Sequence, residues 1–344
     1  MIIEEGLSNF FKYKLLLLYL FTASVVVCQD VHFTQFDASP LNLNPANTGN
    51  YDGFWRFSGN FRTQWRVLGE PFQTSSIGFD KSGKRKGGNM SYGFYVLGDA
   101  SGETNLTTSR YYGNIAVHLG NDQNKWHFGI QPGLVQKSIN VASLTFPEQF
   151  DNSSGAFNPN LDNKEADFLS ALSYFDINAG IMFTKTLNQN KYEAGLAFHH
   201  LIQPSESFLR NDFNLPMRYI LSVKHSRPLI DDWSGVVKVM YMRQNKASET
   251  LLQILVSKAV AANELNIKSV YSGFSSRLGI QRNTDAISYI FGVQFLRTDV
   301  GLSYDLNVST LSQQTNLRGA FELSVVFWSG RFDYSPKTIM CERL

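Results

Sequence analysis

Six histidines, two cysteines and scattered carboxylates and arginines are what this 344-residue chain offers for chemistry, and their spacing does not compose an active site. It has no G-x-S-x-G nucleophile elbow, no H-E-x-x-H zinc helix and no glycine loop suited to cradling phosphate. His199 and His200 are adjacent, so on a strand they would point to opposite faces and chelate one metal poorly. His118, His127 and His225 each stand alone in strand-like stretches and read as wall or lumen groups. The expectation is a protein that is not an enzyme and takes no cofactor or metal. Catalysis would need residues brought together from separate strands.

The charged residues form two patterns. Lys81, Lys84, Arg85 and Lys86 surround Gly83, Gly87 and Gly88, a basic tight turn that reads as a solvated hairpin tip; contact with anionic headgroups or an acidic partner is the alternative. Arg56, Arg62 and Arg66 share the polar face of one strand, and Glu193, Arg218 and Lys224 sit on the polar faces of others. All six are expected to face a lumen, and Arg56, Arg62 and Arg66 to pair with acidic groups there, because an unpaired buried cation is costly. Lining an anion-selective passage is the competing use.

These groups are carried on one repeating element. From Phe54 to Phe327, stretches of apolar and polar side chains in strict alternation are each followed by a turn, the period of a strand with one greasy and one wet face. Phe57, Gly59, Phe61, Thr63 and Trp65 alternate with Arg56, Ser58, Asn60, Arg62, Gln64 and Arg66. Leu196, Phe198, Leu221 and Val223 are assigned to lipid, and Glu193, Arg218, Ser222 and Lys224 to the interior. Fifteen stretches qualify: 54–65, 72–80, 90–97, 107–119, 125–137, 174–184, 191–199, 217–225, 233–241, 251–259, 264–271, 277–281, 289–296, 300–308 and 319–327. Single-chain bacterial barrels normally have even strand numbers, and 277–281 is the weakest of the set, so the expectation is an antiparallel transmembrane β-barrel of about 14 strands, within 12 to 16.

The N-terminus reads as an export signal, with Lys12 and Lys14 as the positive flank, an apolar run from Leu15 to Val27, and cleavage after Cys28. The run falls short of the ~20 residues that cross a bilayer as a helix. Cleavage removes two of the 31 basic and two of the 29 acidic residues, so the exported chain stays near neutral, with no footprint for nucleic acid. Only Cys341 survives, which excludes an intrachain disulfide. After the signal no stretch approaches a transmembrane helix, which leaves the closed barrel as the way into a membrane.

The expected organisation is therefore a signal peptide at 1–28, a periplasmic strip at 29–50, a barrel at 51–328 and a tail at 329–344. Short turns such as 121–124 and 188–190 coexist with a long insertion at 138–173, the asymmetry of an outer-membrane barrel. Aromatic residues make up 14% of the chain, and Trp65, Trp126, Tyr174 and Trp233 fall near strand ends, where interfacial girdles form. In the strip, Pro40, Leu41, Asn42, Asn44, Pro45 and Asn47 predict ordered turns available as a docking surface, or a plug that closes the barrel. In the long insertion, Asn152, Asn158 and Asn160 supply polar turn chemistry suited to a partner outside the wall.

Several short strings, in a common order, carry a family resemblance. Gln29-Asp30-Val31-His32-Phe33-Thr34-Gln35-Phe36 and Pro40-Leu41-Asn42-Leu43-Asn44-Pro45-Ala46 resemble the mature start of the PorP/SprF family of Bacteroidota. The resemblance continues through Asn60-Phe61-Arg62-Thr63-Gln64-Trp65, Phe128-Gly129-Ile130-Gln131, Leu215-Pro216-Met217-Arg218-Tyr219 and Gly301-Leu302-Ser303-Tyr304-Asp305 to Gly319-Ala320-Phe321-Glu322. It implies an outer-membrane component of type IX secretion and gliding motility. The implied partners are outer-membrane lipid, a type IX secreted cargo or surface adhesin, and periplasmic type IX or gliding components. A passive channel for a small solute is the competing reading, since a lumen is polar whether it conducts or is filled.

Overall fold

The computed structural model describes residues 30–330, apart from 67–68, 86–87, 103–105, 122, 141–143, 145, 152, 159, 162–168, 209–212, 262–263, 280–283 and 310–311. The expected export signal, the tail beyond Gly330 and Asn152 lie outside the described residues. Fourteen long strands follow one another: β1 (Trp55–Gln64), β2 (Phe72–Lys81), β3 (Gly88–Ser101), β4 (Leu106–Gly120), β5 (Asn124–Ser138), β6 (Ala171–Leu187), β7 (Asn190–His199), β8 (Arg218–Pro228), β9 (Trp233–Gln244), β10 (Ala247–Ala259), β11 (Ile267–Gly279), β12 (Thr284–Phe295), β13 (Thr298–Asn307) and β14 (Arg318–Trp328). Each pairs antiparallel with its chain neighbours, and β1 closes the ring on β14 with Phe57 opposite Phe327 and Arg62 opposite Glu322. Closure leaves none of these strands an edge, so their backbone groups are satisfied without water, as a bilayer requires.

The fifteen candidate stretches become fourteen strands because 264–271 and 277–281 belong to one, β11. Its serine-rich middle hides the lipid face from a sequence reading. Phe274 nevertheless points out and is 63% exposed while Ser275 is buried, and the outward Ser272 hydroxyl sits 2.8 Å from the Tyr289 hydroxyl on β12.

The two faces differ in chemistry as the alternation requires. Phe61, Phe94, Ile115, Phe128, Leu221, Ile254 and Leu302 are exposed on the outside; Arg56, Asn60, Arg62, Asn114, Gln131, Asn178 and Glu322 are buried within. Exposed Trp126, Tyr192 and Trp233 stand near one rim, and exposed Tyr219 and Tyr304 near the other, at the levels where amphipathic rings favour a membrane interface. Two assignments change. Tyr174, expected in a girdle, faces the lumen, where it is buried with Tyr112 and Val135. Trp65 takes a left-handed backbone (φ 56°) and ends β1, so Arg66 lies exposed in the following turn and not on the lumen face with Arg56 and Arg62.

The two ends also differ. Segments 65–71, 102–105, 139–170, 200–217, 245–246, 280–283 and 308–317 connect strands at one end; 82–87, 121–123, 188–189, 229–232, 260–266 and 296–297, none longer than seven residues, connect them at the other, where β1 begins and β14 finishes. The two-residue turn Asn188-Gln189 has both residues left-handed (φ 46° and 67°), the twist that matches a tight hairpin. Leu221 is 49% exposed on β8 while Ser222 is buried. Leu221→Arg is expected to destabilise the barrel by roughly 2–4 kcal/mol at the bilayer midplane, measured by reversible unfolding in liposomes. A loss of only a few tenths would place Leu221 near an interface, whereas equal labelling of Leu221→Cys and Ser222→Cys by a membrane-impermeant reagent would contradict the alternating wall.

Candidate functional site: a lumen filled by the N-terminal segment

Residues 31–50 fold back inside the barrel as three short turns of helix, Phe36–Ala38, Pro40–Leu43 and Pro45–Asn47. Pro40 and Pro45 stand at the first helical positions, where the missing N–H costs nothing. The Asn44 side chain accepts from the Ala46 N–H at 2.8 Å, and Asn47 Nδ2 donates to the Pro40 carbonyl at 3.0 Å. The turn-rich strip is present, but it is enclosed. Leu41, Asn44, Pro45 and Asn47 are buried and Asn42 is half-buried, so these residues form a plug and not an open docking face. The physical reason is volume: a fourteen-stranded wall encloses more space than its inward glycines, serines and alanines fill. The segment supplies the apolar groups that need it.

Two clusters seat the plug. Phe33 and Leu41 pack with Tyr95, Leu97, Tyr112, Val135, Tyr174 and Leu215; Phe36 and Leu43 pack with Ala197, Ile220, Met240, Met242 and Leu251. Burying each of the four plug side chains contributes about 1.5–3 kcal/mol. A notch receives the middle of the segment. Gly129 on β5 faces Gly180 on β6, and a Cβ on Gly129 would meet the Pro45 and Ala46 backbone, while one on Gly180 would meet the Asn44 amide. Asn44 Nδ2 donates to the Ile181 and Leu196 carbonyls at 3.1 and 3.3 Å, and Gln131 Nε2 to the Leu41 carbonyl at 3.1 Å.

Charge fixes both ends. Near the long-loop end, Arg62 Nη2 donates to Asp305 Oδ2 at 2.8 Å, and its Nη1 reaches Thr34 Oγ1 at 2.8 Å and Glu322 Oε2 at 3.2 Å. Arg277 Nη2 donates to the same Thr34 hydroxyl at 2.9 Å and to Asp305 at 3.3 Å. Glu322 accepts the Thr34 and Gln35 backbone N–H groups at 2.8 and 2.7 Å. The Thr34 hydroxyl donates to Asp305 while accepting from both arginines, which uses its whole hydrogen-bonding capacity. At the short-turn end, Arg56 grips Asp80 through Nε and Nη2 at 3.0 and 2.9 Å and donates to the Asn47 carbonyl at 2.9 Å; Gly49 N–H donates to Asp80 at 2.6 Å.

Of the other expected lumen residues, Lys224 holds Asp37 of the plug at 3.1 Å, where the unforeseen Lys238 joins it at 2.7 Å; Glu193 pairs with Lys191 at 2.9 Å, and Arg218 is buried on β8. Beside Asp37, a cavity of about 400 Å³ remains between the plug and β8–β14, lined by Lys224, Lys238, Gln253, Tyr271 and Asp299 among others.

The long insertion carries a small hairpin, Phe150–Asp151 with Ala156–Phe157. Asp151 accepts from Ser153 N–H at 2.8 Å and from the Ser153 hydroxyl at 2.6 Å; these bonds hold its carboxyl below the usual carboxylate range. Asn158 Oδ1 accepts from Asn160 N–H at 3.0 Å, and Asn160 is exposed. Described residues of the two longest connections are joined, as Leu169 N–H donates to the Phe208 carbonyl at 2.8 Å, and Tyr174 of β6 donates to Glu206 at 2.7 Å.

Two polar clusters escaped the sequence reading. β7 ends at His199 and His200 is left-handed (φ 60°), so both rings turn inward, 6.3 Å apart, instead of to opposite faces. His200 Nδ1 lies 2.8 Å from Asp176, which also accepts from the Tyr112 hydroxyl at 2.7 Å. His118 and His127 pair across the β4–β5 hairpin with Nδ1 atoms 2.6 Å apart, flanked by Ser91 and Thr184. Their near-equal distance from the 121–123 turn was the legible signal. His225 instead stacks on Tyr192 on the outer wall, at 4.5 Å. Among the described residues no group of histidines, cysteines or carboxylates is arranged to hold a metal.

A closed, lipid-faced antiparallel barrel with a polar interior and long loops at one end is an outer-membrane protein. The chain belongs to the family described as type IX secretion system membrane protein PorP/SprF, whose model matches residues 26–327. No curated protein matches the sequence. Similar solved structures include the Ralstonia pickettii toluene transporter TbuX (11% identity, 87% of this chain and 94% of that one, TM-score 0.48). Others are the CymD monoaromatic hydrocarbon channel (10%, 88% and 95%, 0.47) and the P. putida toluene transporter TodX (9%, 84% and 93%, 0.45).

Proposed function

We propose that this barrel holds a secreted cargo or adhesin at the cell surface and links it with periplasmic components of type IX secretion and gliding, with no catalytic step. The family implies a type IX secretion role at the outer membrane. The observation that supports docking over passage is the lumen filled by the chain's own residues 31–50, fixed by charge at both ends. A filled barrel works through its two rims. Long loops face outward in such barrels and both barrel termini face the periplasm, so the rim bearing Asn158 and Asn160 is the cargo side, and the short-turn rim with the tail at 329–344 is the periplasmic side. In this division residues 1–28 are the export signal and 51–328 the wall. Outer-membrane lipid covers the apolar belt.

Removing the protein from its native cell is expected to leave the outer membrane intact while surface display of a subset of type IX cargo falls, read by surface proteolysis and mass spectrometry, with spreading lost in a gliding organism. The second reading, passage of a small solute, is favoured by the cavity of about 400 Å³ beside Asp37. Normal cargo display together with reduced solute uptake in the deletion would replace the docking reading with that one.

A further inference from the structure

We infer that the lumen segment is threaded from the cell surface inwards, so that Val31 and His32 stand at the outer mouth of the barrel and Gly49 and Asn50 at the periplasmic one. The inference rests on the orientation proposed above, in which the long loops face outward. It follows from the order of contacts along the segment. His32 lies 3.2 Å from Glu249, and Thr34 bonds Arg62, Arg277 and Asp305; all four wall residues are two positions from the long-loop ends of β10, β1, β11 and β13. Leu41 and Asn44 then meet Gln131, Ile181 and Leu196 in the body of the wall. Asn47 and Gly49 reach Arg56 and Asp80, each one position from the short-turn ends of β1 and β2. The two ends of the segment therefore stand at opposite ends of the wall, with Asp37 dipping toward the short-turn side to meet Lys224 and Lys238 before the chain returns at Leu41.

The geometry has a mechanical consequence. The segment runs directly into β1 at the short-turn end, so it is covalently anchored on the periplasmic side. Drawing it out on that side would drag Thr34 and Gln35 away from Arg62, Arg277 and Glu322 and through the whole lumen. The surface mouth is where it is unseated. A protein held by the long loops meets Val31 and His32, and a periplasmic partner meets the turn at Gly49 and Asn50.

The test uses full-length protein in its native outer membrane, without its own cysteines (Cys28→Ala, Cys341→Ser), and a membrane-impermeant maleimide on intact and permeabilised cells. Asn160→Cys and Asn188→Cys report orientation alone: the first should label on intact cells and the second only after permeabilisation. The reverse would sink the orientation and this inference with it. With orientation established, Val31→Cys and His32→Cys should label on intact cells to the extent of Asn160→Cys, and Asn50→Cys only after permeabilisation. Labelling of positions 31 and 32 only after permeabilisation would overturn the threading while leaving the orientation standing. Where packing shields both from the reagent, spin labels on purified protein decide: position 31 should lie about a barrel height, roughly 25 Å, from position 188. A label at 31 closer to 188 than to 160 would overturn the inference equally.

Discussion

Arg62→Met is expected to destabilise the barrel by about 3–5 kcal/mol, the loss typical of removing one partner from a buried ion pair. Arg62 is 3% exposed and is the group that Asp305, Glu322 and the Thr34 hydroxyl have in common. Methionine has similar reach but no charge, so Glu322, itself fully buried, keeps only the Thr34 and Gln35 N–H groups. Arg277 still touches Asp305 at 3.3 Å, which limits the damage there. Arg62→Lys should recover part of the loss and not all of it, since an ammonium lacks the planar fork that serves several acceptors at once. Urea unfolding in liposomes, followed by heat-modifiability on gels, measures it. If Arg62→Met cost less than about 1 kcal/mol, the cluster would be a solvated group of charges and not a latch.

Gly129→Leu combined with Gly180→Leu is expected to turn a closed barrel into a conducting one. The two glycines face each other across β5 and β6, and side chains there would occupy the space of the Pro45 and Ala46 backbone and the Asn44 amide. Ordinary overpacking costs about 1–3 kcal/mol and is relieved when a flexible side chain moves aside. Here much of what is struck is main chain, so relief means shifting the segment and giving up burial of Phe33, Phe36, Leu41 and Leu43. The strand ladder does not depend on those contacts, and the wall should still close. Planar-bilayer recording is the measurement: few stable steps for the native protein, frequent ones for the double variant. Gly113→Leu is the control, because a Cβ at Gly113 meets open space. A double variant that stays as closed as the native protein would show that residues 31–50 do not seal the lumen.

The wall was legible in the chain because a strand's side-chain period is two and a bilayer asks for opposite chemistry on its two faces. That alternation placed Leu221 outside and Ser222, Arg56 and Arg62 inside before any contact was known, and the even-number rule brought fifteen stretches to fourteen strands. It failed where a local backbone choice overrode the period. Left-handed Trp65 released Arg66 from the lumen face, and left-handed His200 turned a second imidazole inward beside His199.

The plug shows the complementary limit. Prolines and asparagines between Pro40 and Asn47 announced turns, and the turns are there. Where those turns sit depends on the empty volume of a closed barrel, on the glycine notch of Gly129 and Gly180, on Arg62, and on Asp305 and Glu322, which are hundreds of residues from Thr34 in sequence. The sequence by itself determined a wall, its lipid and water faces and its turns, because those follow from neighbours one or two residues apart. Tertiary structure alone decided that the wall is filled by its own N-terminal segment, because that depends on distant strands converging around one volume that only ring closure creates.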